Sequence, residues 1–338
     1  CGETAALLTG GQRAAARRHN RELVAEGRAR IVVGTHALIQ DTVGFAELGL
    51  VVVDEQHRFG VHQRLMLSSK GQHSDMLVMT ATPIPRTLHG SLLGIRGIST
   101  LDNPPPGRQE VETRVVFRDD RILQDALLRE LSRKGQVFVV HNRIDELEVL
   151  AQRLRQLAPG ARIAIGHGQM TGAEVEKTVR AFVRGEFDVL VSTTIVENGL
   201  DIARANTILI DKADNFGLAE LHQLRGRVGR SSEKAYCYLL LHRDSPPGQE
   251  ARSRLKALEE FSHLGAGFAI AMKDLEIRGA GNLLGGEQSG HIADVGFDLY
   301  VRLVGEAVAE FKGDGSEPEL NEVRIELPVD AHLPHDYI

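Results

Sequence analysis

Two carboxylates stand side by side at Asp54-Glu55, directly behind the apolar run Leu50–Val53. Two arginines stand three residues apart in Gln223-Leu224-Arg225-Gly226-Arg227-Val228-Gly229-Arg230. The carboxyl end of a buried parallel strand is where α/β sheets bind ligands. Of two carboxylates placed there, one can hold a divalent cation against phosphate oxygens through water, while the other orients and deprotonates an attacking water. Asp54 is the candidate for the cation, Mg²⁺, and Glu55 for the base. A solvated acidic loop is the plain alternative. In the second string, glycines at 226 and 229 keep the backbone compact, so that Arg227 and Arg230 are expected to project together and clamp charge on a transferring phosphoryl group. A basic helix end on a solvated surface is the competing reading, and the spacing disfavours it.

Hydroxyls close other apolar runs. Gly34-Thr35-His36 follows Ile31–Val33, Thr80-Ala81-Thr82 follows Met76–Met79, and Thr193-Thr194 follows Val189–Val191 and leads into Glu197-Asn198-Gly199-Leu200-Asp201. Hydroxyls and free N–H groups at strand ends suit the phosphates of a nucleic-acid strand, contacts that position without reading sequence. Taken singly, each is an ordinary turn. His57 reads either as a structural histidine or as a relay from the phosphate site toward the nucleic-acid side. A P-loop requires a glycine-rich turn ending in Gly-Lys-Ser/Thr, and no Gly-Lys dipeptide occurs in the 338 residues. The strings therefore read as half of a nucleotide site, in a piece of a longer polypeptide that starts inside a pattern at Cys1. His332 and His335 flank a proline without cysteine partners, so no metal site is expected there. At 4% aromatic residues the chain has no base-stacking stripe, and binding is expected to run along the phosphate backbone.

These groups need strands and helices to hold them. Continuous apolar runs, the mark of buried parallel strands, recur at 31–33, 50–53, 76–79, 137–140, 163–165, 189–191, 208–210 and 236–241. Helical periodicity fills Arg13–Glu26, Arg121–Arg133, Arg143–Leu157 and Ala173–Val183, the last opened by a Thr171/Glu174 capping box. The alternation predicts an α/β fold with parallel sheets. Asn103-Pro104-Pro105-Pro106-Gly107 interrupts it. The expected organisation is a first lobe at 1–102, a linker at 103–108, a second lobe at 109–244 and a helical segment at 245–312. Residues 313–338 form an acidic linker and the start of a further domain. From Glu306 onward nine Asp/Glu face two Lys/Arg. A net charge of −6 excludes a generally basic surface, so DNA contacts must rest on local clusters. Two cysteines make no disulfide framework, and no signal or membrane segment is read, which places the chain in the cytoplasm.

In this order the strings GTHALI, DEQHRFGV, TATPIPRT, STTIVENGLDI, FGLAELHQLRGRVGR and LEIRGAGNLLGGEQSG resemble superfamily 2 helicases. The likeness is strongest to the branch that holds the RecG fork-reversal translocases and the bacterial transcription-repair coupling factors, the Mfd proteins. The resemblance covers nearly the whole chain and implies two RecA-like lobes, the first lacking its P-loop part, followed by a translocation-motif helical hairpin. It implies ATP and Mg²⁺ as cofactors, with Asp54, Glu55, Arg227 and Arg230 catalytic and Gln223, Gly199, Asp201 and His57 at the nucleotide. Thr35, His36, Thr80, Thr82, Thr193, Thr194 and Arg278 would contact double-stranded DNA or couple to it. Asn198, Ala203 and Gln56 depart from the branch's usual residues. Within the branch, DEQHRFGV and NPPPGR look more like RecG, whereas GAGFAIAMKDLEIRGAGNLLG and AHLPHDYI look like coupling factors, and the C-terminal strings weigh more. The implied activity is ATP-driven translocation on duplex DNA in repair, displacing stalled RNA polymerase. Polymerase and nucleotide-excision-repair proteins would be reached through regions outside this chain. RecG-like remodelling of branched DNA, and a DNA-binding module without turnover, remain the alternatives.

Overall fold

The computed structural model describes residues 3–56, 59–81, 97, 99–101, 107–194, 202, 204–263 and 265–278. The first part of the chain runs β1 (Ala5–Leu8), α1 (Ala14–Ala25), β2 (Ile31–Gly34), a 3₁₀ turn at His36–Ile39, β3 (Leu50–Val53), α2 (Val61–Ser68) and β4 (Asp75–Val78). β1 pairs with β2 and β3 with β4, both parallel. The second part comprises β5 (Val111–Phe117), α3 (Asp120–Ser132), β6 (Gln136–Val140), α4 (Leu147–Leu157), β7 (Ile163–Gly166), α5 (Gly172–Val183) and β8 (Val189–Ser192). It continues through β9 (Ala205–Asp211), α6 (Leu218–Arg225), β10 (Ala235–Leu241), α7 (Gln249–Glu260) and α8 (Gly267–Arg278). Its six strands form one parallel sheet in the order β5-β10-β9-β6-β8-β7. The parallel α/β class expected from the apolar runs is the one observed.

The reason these runs become strands is visible in β6, where every residue is buried. Val137 and Val139 pack against Leu123 and Leu127 of α3 and Leu150 and Leu154 of α4. Phe138 and Val140 belong to the opposite cluster, with Phe182 of α5, Leu221 and Leu224 of α6, Leu255 and Leu258 of α7 and Ile270 of α8. Each such side chain contributes about 1.5–3 kcal/mol of burial. Polar ends are matched locally. The Asp119 carboxylate accepts the Arg121 N–H, and Thr171 and Glu174 close the expected capping box, Thr171 N donating to Glu174 Oε2 at 2.8 Å. Among the described residues no helix is long and apolar enough to cross a membrane.

Two strands escaped the apolar-run criterion for opposite reasons. β1 is only Ala-Ala-Leu-Leu, and three of the seven residues of β5 are polar or charged, β5 being an edge strand whose Glu112 and Arg114 lie near solvent. The helix expected at 143–157 opens with a 3₁₀ turn at Ile144–Glu146 before becoming α-helical at Leu147.

The four strands β1–β4 differ from β6 in that alternate residues are half-exposed: Leu7, Ile31, Val33, Leu50, Val52 and Leu77. One face of each two-stranded ladder is packed and the other meets solvent, so opening it exposes little new apolar area. Amides of β6, β8 and β9 should therefore exchange with deuterium much more slowly than those of β1–β4. Equal protection measured by mass spectrometry in the isolated chain would show that the first ladders are covered in solution.

Candidate nucleotide and nucleic-acid site

Asp54 and Glu55 leave β3 at its carboxyl end. The turn is set by Glu55, whose φ of 50° is left-handed, and by its N–H, which donates to Asp54 Oδ1 at 2.8 Å. Asp54 remains exposed, whereas Gln56 is buried. The β3–β4 ladder continues past both strands: Met79 N donates to the Val53 carbonyl at 2.8 Å and Gln56 N to the Met79 carbonyl at 3.2 Å. The acidic loop is thus bonded to Met79, directly before Thr80-Ala81-Thr82. On the other side Arg64 of α2, itself buried, donates to the carbonyls of Phe59 (2.8 Å) and Gln56 (3.4 Å), which fixes the loop's exit.

Thr35 and His36 are exposed at the end of β2. Thr35 N donates to the Leu8 carbonyl, and Leu38 N closes the turn on the Thr35 carbonyl. Gly34 is required there, since a Cβ would overlap the Leu8 carbonyl and approach Leu38 within 2.8 Å. The same sheet end carries a group that sequence reading overlooked. Behind β1, Thr9-Gly10-Gly11-Gln12 forms a turn in which Thr9 N donates to Gln12 Oε1 and Gln12 Nε2 to the Leu7 carbonyl. The signal available was a Thr-Gly-Gly after two leucines, obscured because β1 itself was not recognised.

On the six-stranded sheet Thr193 is nearly buried and Thr194 half-buried beyond β8, with Thr193 N donating to the Gly166 carbonyl at 3.4 Å. Gln223 is half-buried on α6. Arg227 is buried and Arg230 exposed, its Nε donating to the Gly226 carbonyl at 3.3 Å. The two arginines expected together thus meet solvent differently. The first arginine of the string is structural. Arg225 donates from Nη1 to the Leu258 carbonyl at 2.8 Å and from Nη2 to His222 Nδ1 at 3.0 Å, tying α6 to α7. His57, Thr82, Gly199 and Asp201 lie outside the described residues, and of Arg278 only its place at the end of α8 is described.

Among the described residues the two parts of the chain approach closely at Gly267. A Cβ on Gly267, the first residue of α8, would overlap the Ala81 carbonyl and stand 3.7 Å from His222 Nε2. The strand end carrying Thr80 and Ala81 therefore abuts the start of α8, which in turn lies against His222 of the helix that leads into Arg227. A second overlooked cluster sits at the carboxyl ends of β5, β6, β9 and β10. The buried Asp211 accepts from Arg118 Nη1 (2.9 Å) and bonds His242 Nε2 (2.8 Å), Lys212 pairs with Glu146, and Arg143 N donates to His141 Nδ1. Its sequence signal was a histidine or aspartate directly behind an apolar run.

Comparison with known proteins gives two family matches. The DEAD/DEAH box helicase family matches residues 2–90, and the helicase conserved C-terminal domain matches residues 120–232. A transcription-repair-coupling factor of Mycobacterium bovis is 53% identical over 325 residues, covering 93% of this chain and 26% of that protein. One from Staphylococcus haemolyticus is 48% identical over 322 residues, covering 95% and 28%. The chain thus spans about a quarter of the length of these relatives. A solved structure of RecG bound to a three-way DNA junction superimposes with a TM-score of 0.69 at 37% identity, covering 90% of this chain and 40% of that one.

Burial, and then the neighbouring Arg225 charge, push the His222 imidazole down to about 3. His222 is neutral in the fold at physiological pH, its Nδ1 accepting from Arg225. The unfolded chain takes up the proton near pH 6.5, so stability is unaffected above that pH and is lost progressively as pH falls toward 3. At pH 5 the loss is about 1–2 kcal/mol. His222→Asn keeps an acceptor toward Arg225 and cannot protonate. Urea titrations at pH 7 and 5 should show a smaller difference in this variant than in the parent, and an unchanged difference would mean that His222 titrates normally.

Proposed function

We propose, from the premise that this chain belongs to the helicases joining a DEAD/DEAH box domain to a helicase C-terminal domain, that it is the motor core of a transcription-repair coupling factor. In this reading it moves along double-stranded DNA at the expense of ATP. The observation that supports this best is the continuous path from Asp54-Glu55 through the Met79 ladder bonds to Ala81, and from Ala81 to Gly267 and His222. A motor needs such a path between its acid pair, its arginines and its DNA-moving helix. Residues 1–102 and 109–244 would be the two lobes, 103–108 their linker, 245–312 the translocation hairpin and 313–338 the entry to a regulatory domain.

Asp54 fits a hard cation held through water, being an exposed carboxylate at a strand's carboxyl end. Bound Mg-ATP would supply the phosphoryl group and a neutralising divalent charge. Toward it, Glu55 would take the proton of the attacking water, and Arg227 and Arg230 would neutralise charge on the transferred group. Gln223, Gly199, Asp201 and His57 would complete the nucleotide contacts. This chain supplies no Gly-Lys cradle, so by itself it should hold nucleotide poorly and hydrolyse almost none. Thr35, His36, Thr80, Thr82, Thr193 and Thr194 would grip duplex phosphates, and Arg278 would convert lobe movement into displacement. RNA polymerase and excision-repair proteins would bind through other regions of the full-length protein.

RecG-like remodelling of branched DNA is the second reading, favoured by the superposition on RecG. The higher identity of the coupling factors and the C-terminal strings weigh against it. A preference for forked over linear duplex in hydrolysis assays would reverse the choice. A DNA-binding module without turnover is the third, and DNA-stimulated hydrolysis by the full-length protein excludes it.

In the full-length protein, Arg227→Ala should lower hydrolysis by about 10³-fold or more, the worth of an arginine finger, with duplex affinity retained. Turnover within a few-fold of the parent would remove Arg227 from catalysis. Arg278→Ala should hydrolyse ATP normally and fail to displace a triplex-forming strand, and normal displacement would count against its coupling role.

A further inference from the structure

The ring of Phe59 lies face to face with the imidazole of His36, centroids 4.5 Å apart and planes inclined by 14°. Phe59 stands five residues beyond Asp54 in the acidic loop, and His36 opens the 3₁₀ turn behind Thr35. We propose that Phe59 is a positioning residue: its stack on His36 links the acid pair to the turn that faces nucleic acid, so that what binds at one is felt at the other. The inference rests on the motor reading above and goes beyond it, because that reading assigns Phe59 no role.

Both ends of the link are stiff. The acidic loop is bonded to β4 through Gln56 N and held at its exit by Arg64, which donates to the carbonyls of both Gln56 and Phe59. One guanidinium thus holds Gln56, next to Glu55, and Phe59 together, so that a shift at the acid pair reaches Phe59 through Arg64. At the other end Leu38 N closes the turn on Thr35, and Leu38 packs in the same cluster as Phe59. Between these anchors the aromatic stack is a direct contact from the acidic loop to His36. A face-to-face ring pair holds distance and tilt together, which an aliphatic contact of equal volume does not. Phe59 is also half-buried against Val51, Val53 and Leu67, so a purely packing role is the competing explanation. It differs in what it predicts: packing needs apolar volume at 59, whereas the link needs a ring.

The test compares Phe59→Leu with Phe59→Tyr in the full-length protein. Duplex-free hydrolysis should be unchanged in both. The stimulation of hydrolysis by linear duplex should fall at least about fivefold in Phe59→Leu, the lower end of ordinary coupling energies, and be retained in Phe59→Tyr. Hydrogen exchange read without nucleotide should rise at residues 36–39 in Phe59→Leu alone. Full stimulation in Phe59→Leu overturns the inference, and so does an equal loss in both variants accompanied by a lowered melting temperature, which marks simple packing. A parent that shows no stimulation by duplex sinks the motor reading instead. The stack is then judged by exchange: unaltered exchange at 36–39 in Phe59→Leu overturns it as well.

Discussion

Two hydrogen bonds beyond the ends of β3 and β4 hold the candidate site together. Met79 N to Val53 O and Gln56 N to Met79 O prolong a parallel ladder into what would otherwise be two independent loops. Backbone groups buried at a strand end must find partners, and here each finds the other. The acid pair, the hydroxyl-bearing strand end and the left-handed turn at Glu55 form one unit as a result. Arg64 closes that unit from below, and the contact of Ala81 with Gly267 connects it to the helices of the six-stranded sheet. Without the ladder extension neither contact would have a fixed counterpart.

The two halves of the molecule are built to different standards of burial. The six-stranded sheet is packed on both faces, and its polar strand ends are gathered by the buried Asp211 onto Arg118 and His242. Such a buried carboxylate is costly to leave alone, and its partners fix the geometry of several loops at once. The two-stranded ladders bury one face each.

Charge is deployed locally. The chain is net negative, yet the arginine string ends with distinct assignments. Arg225 is desolvated and serves the fold, binding a carbonyl of α7 and a neutral His222, while Arg227 and Arg230 follow it beyond the helix end. Arg225 and Arg227 are both buried and Arg230 is exposed, and a guanidinium taken out of water must satisfy its donors nearby.

Residue order determined the parallel α/β class, since runs such as Val137–Val140 are apolar on both faces and can only be interior strands. It also determined the capping box at Thr171, a local device needing no distant partner, and the placement of Asp54, Thr35 and Thr193 at strand ends. What it did not determine depended on partners far along the chain. β1 and β5 were illegible because four residues, or an edge strand with charges, carry too little periodicity. The order β5-β10-β9-β6-β8-β7, the structural role of Arg225, the network around Asp211 and the stack of Phe59 on His36 all join residues that sequence spacing does not relate. Their pairing follows from which faces the strands bury and where the crossovers return, and only the folded chain settles that.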